Sequence, residues 1–155
     1  MLSCGAFHFL TTGSVLYDPE TKEWAKDVTF DPGCNGEPSP KKVNGIGVLS
    51  TKGWTESGDP SQDLGLVALD KAIGERTGWY GVMISQDASF GENPLEVRGY
   101  DMKKRQYLCR RGAVAVEPES IRLATSLPAG PFGNPVCLMH DEVPMIVVWL
   151  RRTKA

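Results

Sequence analysis

The chain has 155 residues, 41% of them hydrophobic, with 17 Gly, 11 Pro and a formal net charge of −2. That supply of apolar residues suits one compact domain, and the glycine and proline content favours an all-β sandwich or barrel of short strands over a helical bundle. No run of about 18 apolar residues exists, which excludes a transmembrane helix, and the small net charge gives no overall pull towards nucleic acid or an anionic membrane.

The opening MLSCGAFHFLTTGSV is mildly apolar, but no Lys or Arg precedes its apolar part and no small-residue cleavage site follows. It is therefore not read as a secretory leader, and an intracellular location is slightly favoured over a secreted one. PETKEWAK, with Pro19 in a first turn, is the one segment where a helix is expected. AKDVTFDPG is extended and ends in a Pro-Gly turn, and VNGIGVLS has the β-branched and glycine character of a strand leading into TKGW. LGLVALD, residues 64 to 70, has the length of a buried strand and is closed by the turn-like KAIGERTG. SGDPSQD and SQDASFGENP are hydrophilic loops. PLEVRGYD, RQYLCRRGAVAVE and SIRLATSLPAG follow as strands, and MIVVWLRR is a final buried strand running into a basic tail.

Cys4, Cys34, Cys109 and Cys137 are widely spaced and contain no Cys-x-x-Cys pair, which argues against a zinc site. Two disulfides are conceivable but sequence does not pair them, and unpaired buried thiols are preferred. Arg98, Lys103, Lys104, Arg105, Arg110 and Arg111 gather around one predicted turn, with Arg151, Arg152 and Lys154 in the tail. Such hairpin charges are mostly solvated, so nucleic acid is disfavoured as a partner although an RNA-associated role is kept as an alternative. Trp54, Trp79, Tyr80 and Trp149 fit core or barrel-rim packing.

TTGSVLYDPETKEWAKDVTFDPGCNGEPSP, then TKGW, then DLGLVALDKAIGERTGWYG and finally GPFGNPV occur in the order of landmarks of a known family. In these segments the chain resembles the chymotrypsin-like serine proteases, in particular the glutamyl-endopeptidase branch. The resemblance implies a double six-stranded antiparallel β-barrel, incomplete at both ends, forming a single domain over 1–155 with 1–81 and 82–155 as the remainders of the first and second barrels. Exposed strand edges would then invite a protein partner or self-association.

The chemistry of that family needs a serine nucleophile, an imidazole to take its proton, a carboxylate to hold the imidazole, and amides for the oxyanion. The resemblance places Ser14 at the histidine position, after TTG, and keeps the carboxylate as Asp63 in QDLGLVAL. Aligning Gly130, Gly133 and Pro135 to Gly-x-Ser-Gly-x-Pro puts Phe132 at the nucleophile position, and Pro131 brings no backbone amide to the oxyanion loop. Asp63 is read either as a relic carboxylate bonded to Ser14 or, by preference, as a cap that satisfies nearby amides. His8 lies six residues before position 14, too far along a strand to serve in its place, and His140 in LMHDEVP is a polar loop residue beside Asp141 and Glu142, with a weak metal site there given little weight. Trp149 falls near the strand that lines the family's primary specificity pocket and would narrow it.

The expected function is a catalytically inactive structural or interaction subunit, with no cofactor and no metal. Its alternatives are a serine endopeptidase whose triad is aligned differently or is unconventional, and a basic-patch RNA-associated subunit.

Overall fold

A computed structural model describes residues 2–37, 41–85, 95–100, 103, 106–111, 113–117, 120–123 and 135–149. Among these, fourteen strands run in chain order. The first seven are β1 (Leu2–Gly5), β2 (His8–Thr11), β3 (Tyr17–Asp18), β4 (Glu23–Trp24), β5 (Thr29–Phe30), β6 (Val43–Ser50) and β7 (Gly65–Leu69). The rest are β8 (Gly81–Ser85), β9 (Leu95–Tyr100), β10 (Gln106–Arg111), β11 (Ala113–Glu117), β12 (Ser120–Leu123), β13 (Val136–His140) and β14 (Val143–Trp149). Two short helices, α1 (Lys52–Ser57) and α2 (Gly74–Thr77), separate strands of the first half.

The first sheet has the order β1-β2-β7-β6-β5 and the second β10-β9-β13-β14-β8. Side chains alternate across a strand, so Phe9 on β2, Val67 and Leu69 on β7 and Val43 on β6 all turn to one face. There they meet Leu16, Phe30 and Ile73 in a core where Phe9 and Leu16 are wholly buried and Phe9 stacks on Phe30 at 4.7 Å between ring centroids. In the second sheet Leu95, Val97, Cys137, Leu138, Ile146 and Val147 are buried. The two sheets are tied where Gln106 at the start of β10 donates its amide to Asn35 Oδ1 at 3.0 Å and its side-chain amide to the Cys34 carbonyl at 2.9 Å.

Several expectations need correction. PETKEWAK is no helix: β3 and β4 form a hairpin over it, with Tyr17 paired to Trp24. The reason is local, because Asp18 Oδ1 accepts the amides of Glu20 at 2.9 Å and Thr21 at 3.4 Å, an Asx turn that outcompetes the first helical turn. KAIGERTG contains the helical turn α2, SGDPSQD contains a 3₁₀ turn at Pro60–Gln62, and RQYLCRRGAVAVE is two strands, β10 against β9 and β11 against β12. Among the described residues β14 pairs with β8 in parallel, whereas the other strand pairings are antiparallel. The loop SQDASFGENP lies outside the described residues apart from Ser85.

Glu96 and Arg98, two apart on β9, share a face. Arg98 donates to Glu96 Oε2 through Nη2 at 2.6 Å and Nε at 3.0 Å, and to the Tyr80 hydroxyl at 2.6 Å. Cys137 is paired in register with Glu96 and is buried. Burial pushes its thiol up to about 11, with the Arg98 charge opposing and the Glu96 charge reinforcing the shift. Its folded value lies above the unfolded one of about 8.5, so its contribution to stability is complete below that value and is lost as pH rises towards 11. The expected result is that Cys137 resists alkylation at pH 8 in the folded protein, where roughly a thousandth of it is thiolate. Urea midpoints should fall more steeply from pH 8.5 to 10.5 in the parent than in Cys137→Ala. Rapid labelling of Cys137 in the native state, read by peptide mass, contradicts this.

Candidate functional site

β2 and β7 run antiparallel with Thr11 opposite Gly65, so the turn that leaves β2 and the turn that enters β7 lie side by side. The first is the 3₁₀ turn Gly13–Val15, which carries Ser14; the second is Pro60–Gln62, which is followed by Asp63. Two glycines permit the approach. A Cβ on Gly65 would stand 2.9 Å from the Thr12 carbonyl oxygen, and one on Gly13 would stand 2.7 Å from Trp54 Cδ1 and 2.5 Å from Ser50 Oγ. A side chain at Gly65 would push β7 away from the turn that leaves β2, and one at Gly13 would displace Trp54 and Ser50.

The loop that carries Asp63 is fixed from behind. Ser50 Oγ donates to the Leu64 carbonyl at 2.9 Å, Thr51 Oγ1 donates to the Gln62 carbonyl, and Asp59 Oδ1 accepts the Ser61 amide at 2.9 Å. Thr51 also caps α1, accepting the Trp54 amide at 3.3 Å, and the Trp54 indole nitrogen donates to the Tyr17 carbonyl at 2.9 Å. The helix and the β3–β4 hairpin therefore flank the same spot.

Asp63 meets Ser14 twice. Its Oδ1 accepts the Ser14 amide at 2.6 Å and its Oδ2 accepts the Ser14 hydroxyl at 2.9 Å. Thr12 Oγ1 lies 3.1 Å from Ser14 Oγ. A carboxylate only accepts, so the single hydroxyl hydrogen of Ser14 goes to Asp63, which leaves the Thr12 hydroxyl as donor in the second contact. The two readings of Asp63, relic partner and amide cap, meet on the same atoms. Ser14 is exposed, and it has no group titrating near neutral pH with which to take a proton.

Neither histidine reaches this point. His8 begins β2 opposite Ala68, at the far end of β7 from Asp63. Five residues of strand separate those ends, roughly 17 Å at the usual rise. His140 is no loop residue but ends β13 in the second sheet, where its Nε2 lies 3.7 Å from Asp141 Oδ2 with both side chains largely in water. A pair so exposed is worth little. Among the described residues no three His, Cys, Asp or Glu side chains are grouped so that they could hold a metal ion.

Gly130, Pro131, Phe132 and Gly133 lie outside the described residues. Pro135, inside them, accepts the Arg98 amide at 3.4 Å beside β9. Of the basic residues, Arg98 is taken up by Glu96 and Tyr80, and Lys103 is exposed; Lys104, Arg105, Arg151, Arg152, Lys154 and the side chains of Arg110 and Arg111 lie outside the described residues. Trp54 is half-buried, and Trp79 is 53% exposed, outside the buried core but not in conflict with a place at the barrel rim. The Trp149 and Cys109 side chains also lie outside the described residues, while Cys4, Cys34 and Cys137 are free thiols. What the sequence reading missed beside the site is α1, although its signals are present: Thr51 at the N-cap, and Gly58 in the left-handed conformation at φ 63° closing it.

Comparison of this architecture with solved structures gives close agreement over most of the chain. A Glu endopeptidase in complex with MPD superposes with a TM-score of 0.77 at 14% identity, covering 90% of this chain and 67% of that one. A thermostable serine protease from an extremophilic microorganism gives 0.74 at 16% identity, covering 88% and 69%. The chain has the chymotrypsin-like serine protease fold. Protease Anisep from Arthrobacter nicotinovorans shares it, with a TM-score of 0.73 at 14% identity over 88% of this chain and 67% of that one. By sequence the protease-fold chain is similar to an extracellular metalloprotease of Bacillus subtilis, 36% identical over 81 residues, and to a glutamyl endopeptidase of Bacillus licheniformis, 27% identical over 130 residues. These matches take in 52% and 81% of this chain, which spans 26% and 40% of the length of the two curated relatives. No family model matches it. No helix among the described residues is long and apolar enough to cross a membrane.

Proposed function

We propose that the chain keeps the serine protease fold without its hydrolytic chemistry and acts as a structural or protein-interaction subunit. The observation that carries this is the double hydrogen bond from Ser14 to Asp63, which fills both carboxylate oxygens with an amide and a hydroxyl that cannot take a proton. Two further considerations support it. His8 lies at the opposite end of β2, and Phe132, by alignment, offers no attacking atom. On the same reading, 1–81 and 82–155 correspond to the first and second barrels within a single domain of 1–155.

The competing reading, an endopeptidase with an unconventional centre, draws on the names of the two curated relatives. It requires a base other than His8 at Asp63. The two readings separate under a fluorophosphonate serine probe applied to the folded chain and read by intact mass. The expected result is no adduct after prolonged exposure in conditions where an active serine protease is modified to completion. Stoichiometric modification would falsify the inactive reading.

A further inference from the structure

Beyond Asn44 the outer side of β6 has no paired strand among the described residues, and its register bears on what could add there. β6 is uncharged and proline-free from Val43 to Ser50, whereas exposed sheet edges are ordinarily guarded by Lys or Pro. Its inner side pairs with β7 along its length. On its outer side β5 pairs only with Val43 and Asn44, and the Gly45 amide reaches the Val28 carbonyl at 2.8 Å. Among the described residues no strand pairs with β6 on that side beyond Asn44.

Backbone direction along the remainder follows from one bond. The Thr51 amide points inward to the Leu64 carbonyl at 3.4 Å, and alternation in an antiparallel ladder then turns the Leu49 backbone inward and the Val48 and Ser50 backbones outward. The bulge between Gly45 and Gly47 shifts this parity by one, which agrees with the outward Gly45 amide. Val48 and Ser50 thus present amides and carbonyls in the spacing that another strand would use.

The outer face of the same sheet supplies the second observation. Leu10, Leu66 and Leu49 stand directly opposite one another on β2, β7 and β6, a row of leucines on the face turned away from the Phe9 core. Leu10 and Leu66 are half-buried, but Leu49 at the open end is 64% exposed, and Ile46 nearby is 71% exposed. The row stops at the edge.

The geometry points to a second copy of this chain, pairing β6 with β6 antiparallel about a two-fold axis at Leu49. In that register Val48 of each copy exchanges both backbone bonds with Ser50 of the other, and Leu49 faces Leu49 as a close, non-hydrogen-bonded pair. The three-leucine row then continues across the axis into its mate. An uncharged edge sets no like-charge repulsion against its own copy, and the contact is self-complementary, as a two-fold interface must be. A contact this short falls below the roughly 1,200 Å² of stable interfaces, so the association is reversible and concentration-dependent. This inference does not depend on the loss of hydrolysis, and neither result decides the other.

Sedimentation velocity over a range of loading concentrations tests it with the full chain. The parent should shift from monomer to dimer as concentration rises, and Leu49→Lys should weaken that shift at least tenfold while leaving the melting temperature unchanged, since the side chain is exposed. Leu49→Cys under mild oxidation should give a covalent dimer on a non-reducing gel that the parent does not form. A parent that stays monomeric at every concentration, or a dimer unmoved by Leu49→Lys, overturns the inference.

Discussion

Phe9→Ala is expected to be the most damaging single change in the first sheet. The ring is wholly buried, stacks on Phe30 at 4.7 Å, and packs against Val67 and Leu69 of the central strand. Removing it loses the transfer free energy of the ring and leaves a cavity that strands hydrogen-bonded on both sides cannot close, a cost of about 3–5 kcal/mol. Domains of this kind have only about 5–15 kcal/mol in hand, so the variant should melt roughly 10 °C or more below the parent and unfold at much lower urea. Phe9→Leu, which refills most of the space, should recover the greater part of the loss. The control is Phe7→Ala two residues away, where the ring is 49% exposed and little change is expected. Equal effects at positions 7 and 9 in urea denaturation would mean that Phe9 is not the buried anchor of this core that its lack of exposure implies.

Much of this architecture is legible in the chain itself because the first half obeys short-range rules. β6 and β7 coincide with VNGIGVLS and with the apolar run of LGLVALD, where strand length and composition agree with the tertiary outcome. The pairing of position 14 with position 63 was legible only through the family resemblance. No spacing rule predicts a contact across 49 residues; the register of β2 on β7 creates it, with Gly13 and Gly65 clearing the way.

Where sequence and structure differ, each difference has its own local cause. At PETKEWAK, helix propensity was weighed without the Asp18 side chain, which ties up two amides that the helix would need. At TKGW the cap and the closing glycine were present but the six-residue helix between them is too short to show an apolar period. At β8 and β14 a parallel pairing was invisible, because two continuous apolar runs do not declare their relative direction.

The second large effect is expected at the site itself, from Ser14→His. Asp63 is already fixed by its neighbours and already accepts the amide of residue 14, so an imidazole there meets a preset carboxylate instead of one that must be ordered. An opposite charge within about 4–6 Å favours the protonated ring and raises a histidine value by about 1–3 units above its ordinary 6.5. NMR titration of Ser14→His should therefore show the new histidine titrating well above the ordinary 6.5, and the shift should vanish in Ser14→His with Asp63→Asn. Because the folded value is raised, this pairing stabilises the variant most fully below pH 6.5, and the gain disappears as pH climbs through the raised value. Ser14→His alone should still ignore the fluorophosphonate probe, whereas adding Phe132→Ser supplies the attacking oxygen and should bring labelling from nothing to a measurable rate. A histidine at 14 that titrates like a free imidazole would show that Asp63 is a cap and nothing more, and would remove the ground for reading positions 14, 63 and 132 as one vanished triad.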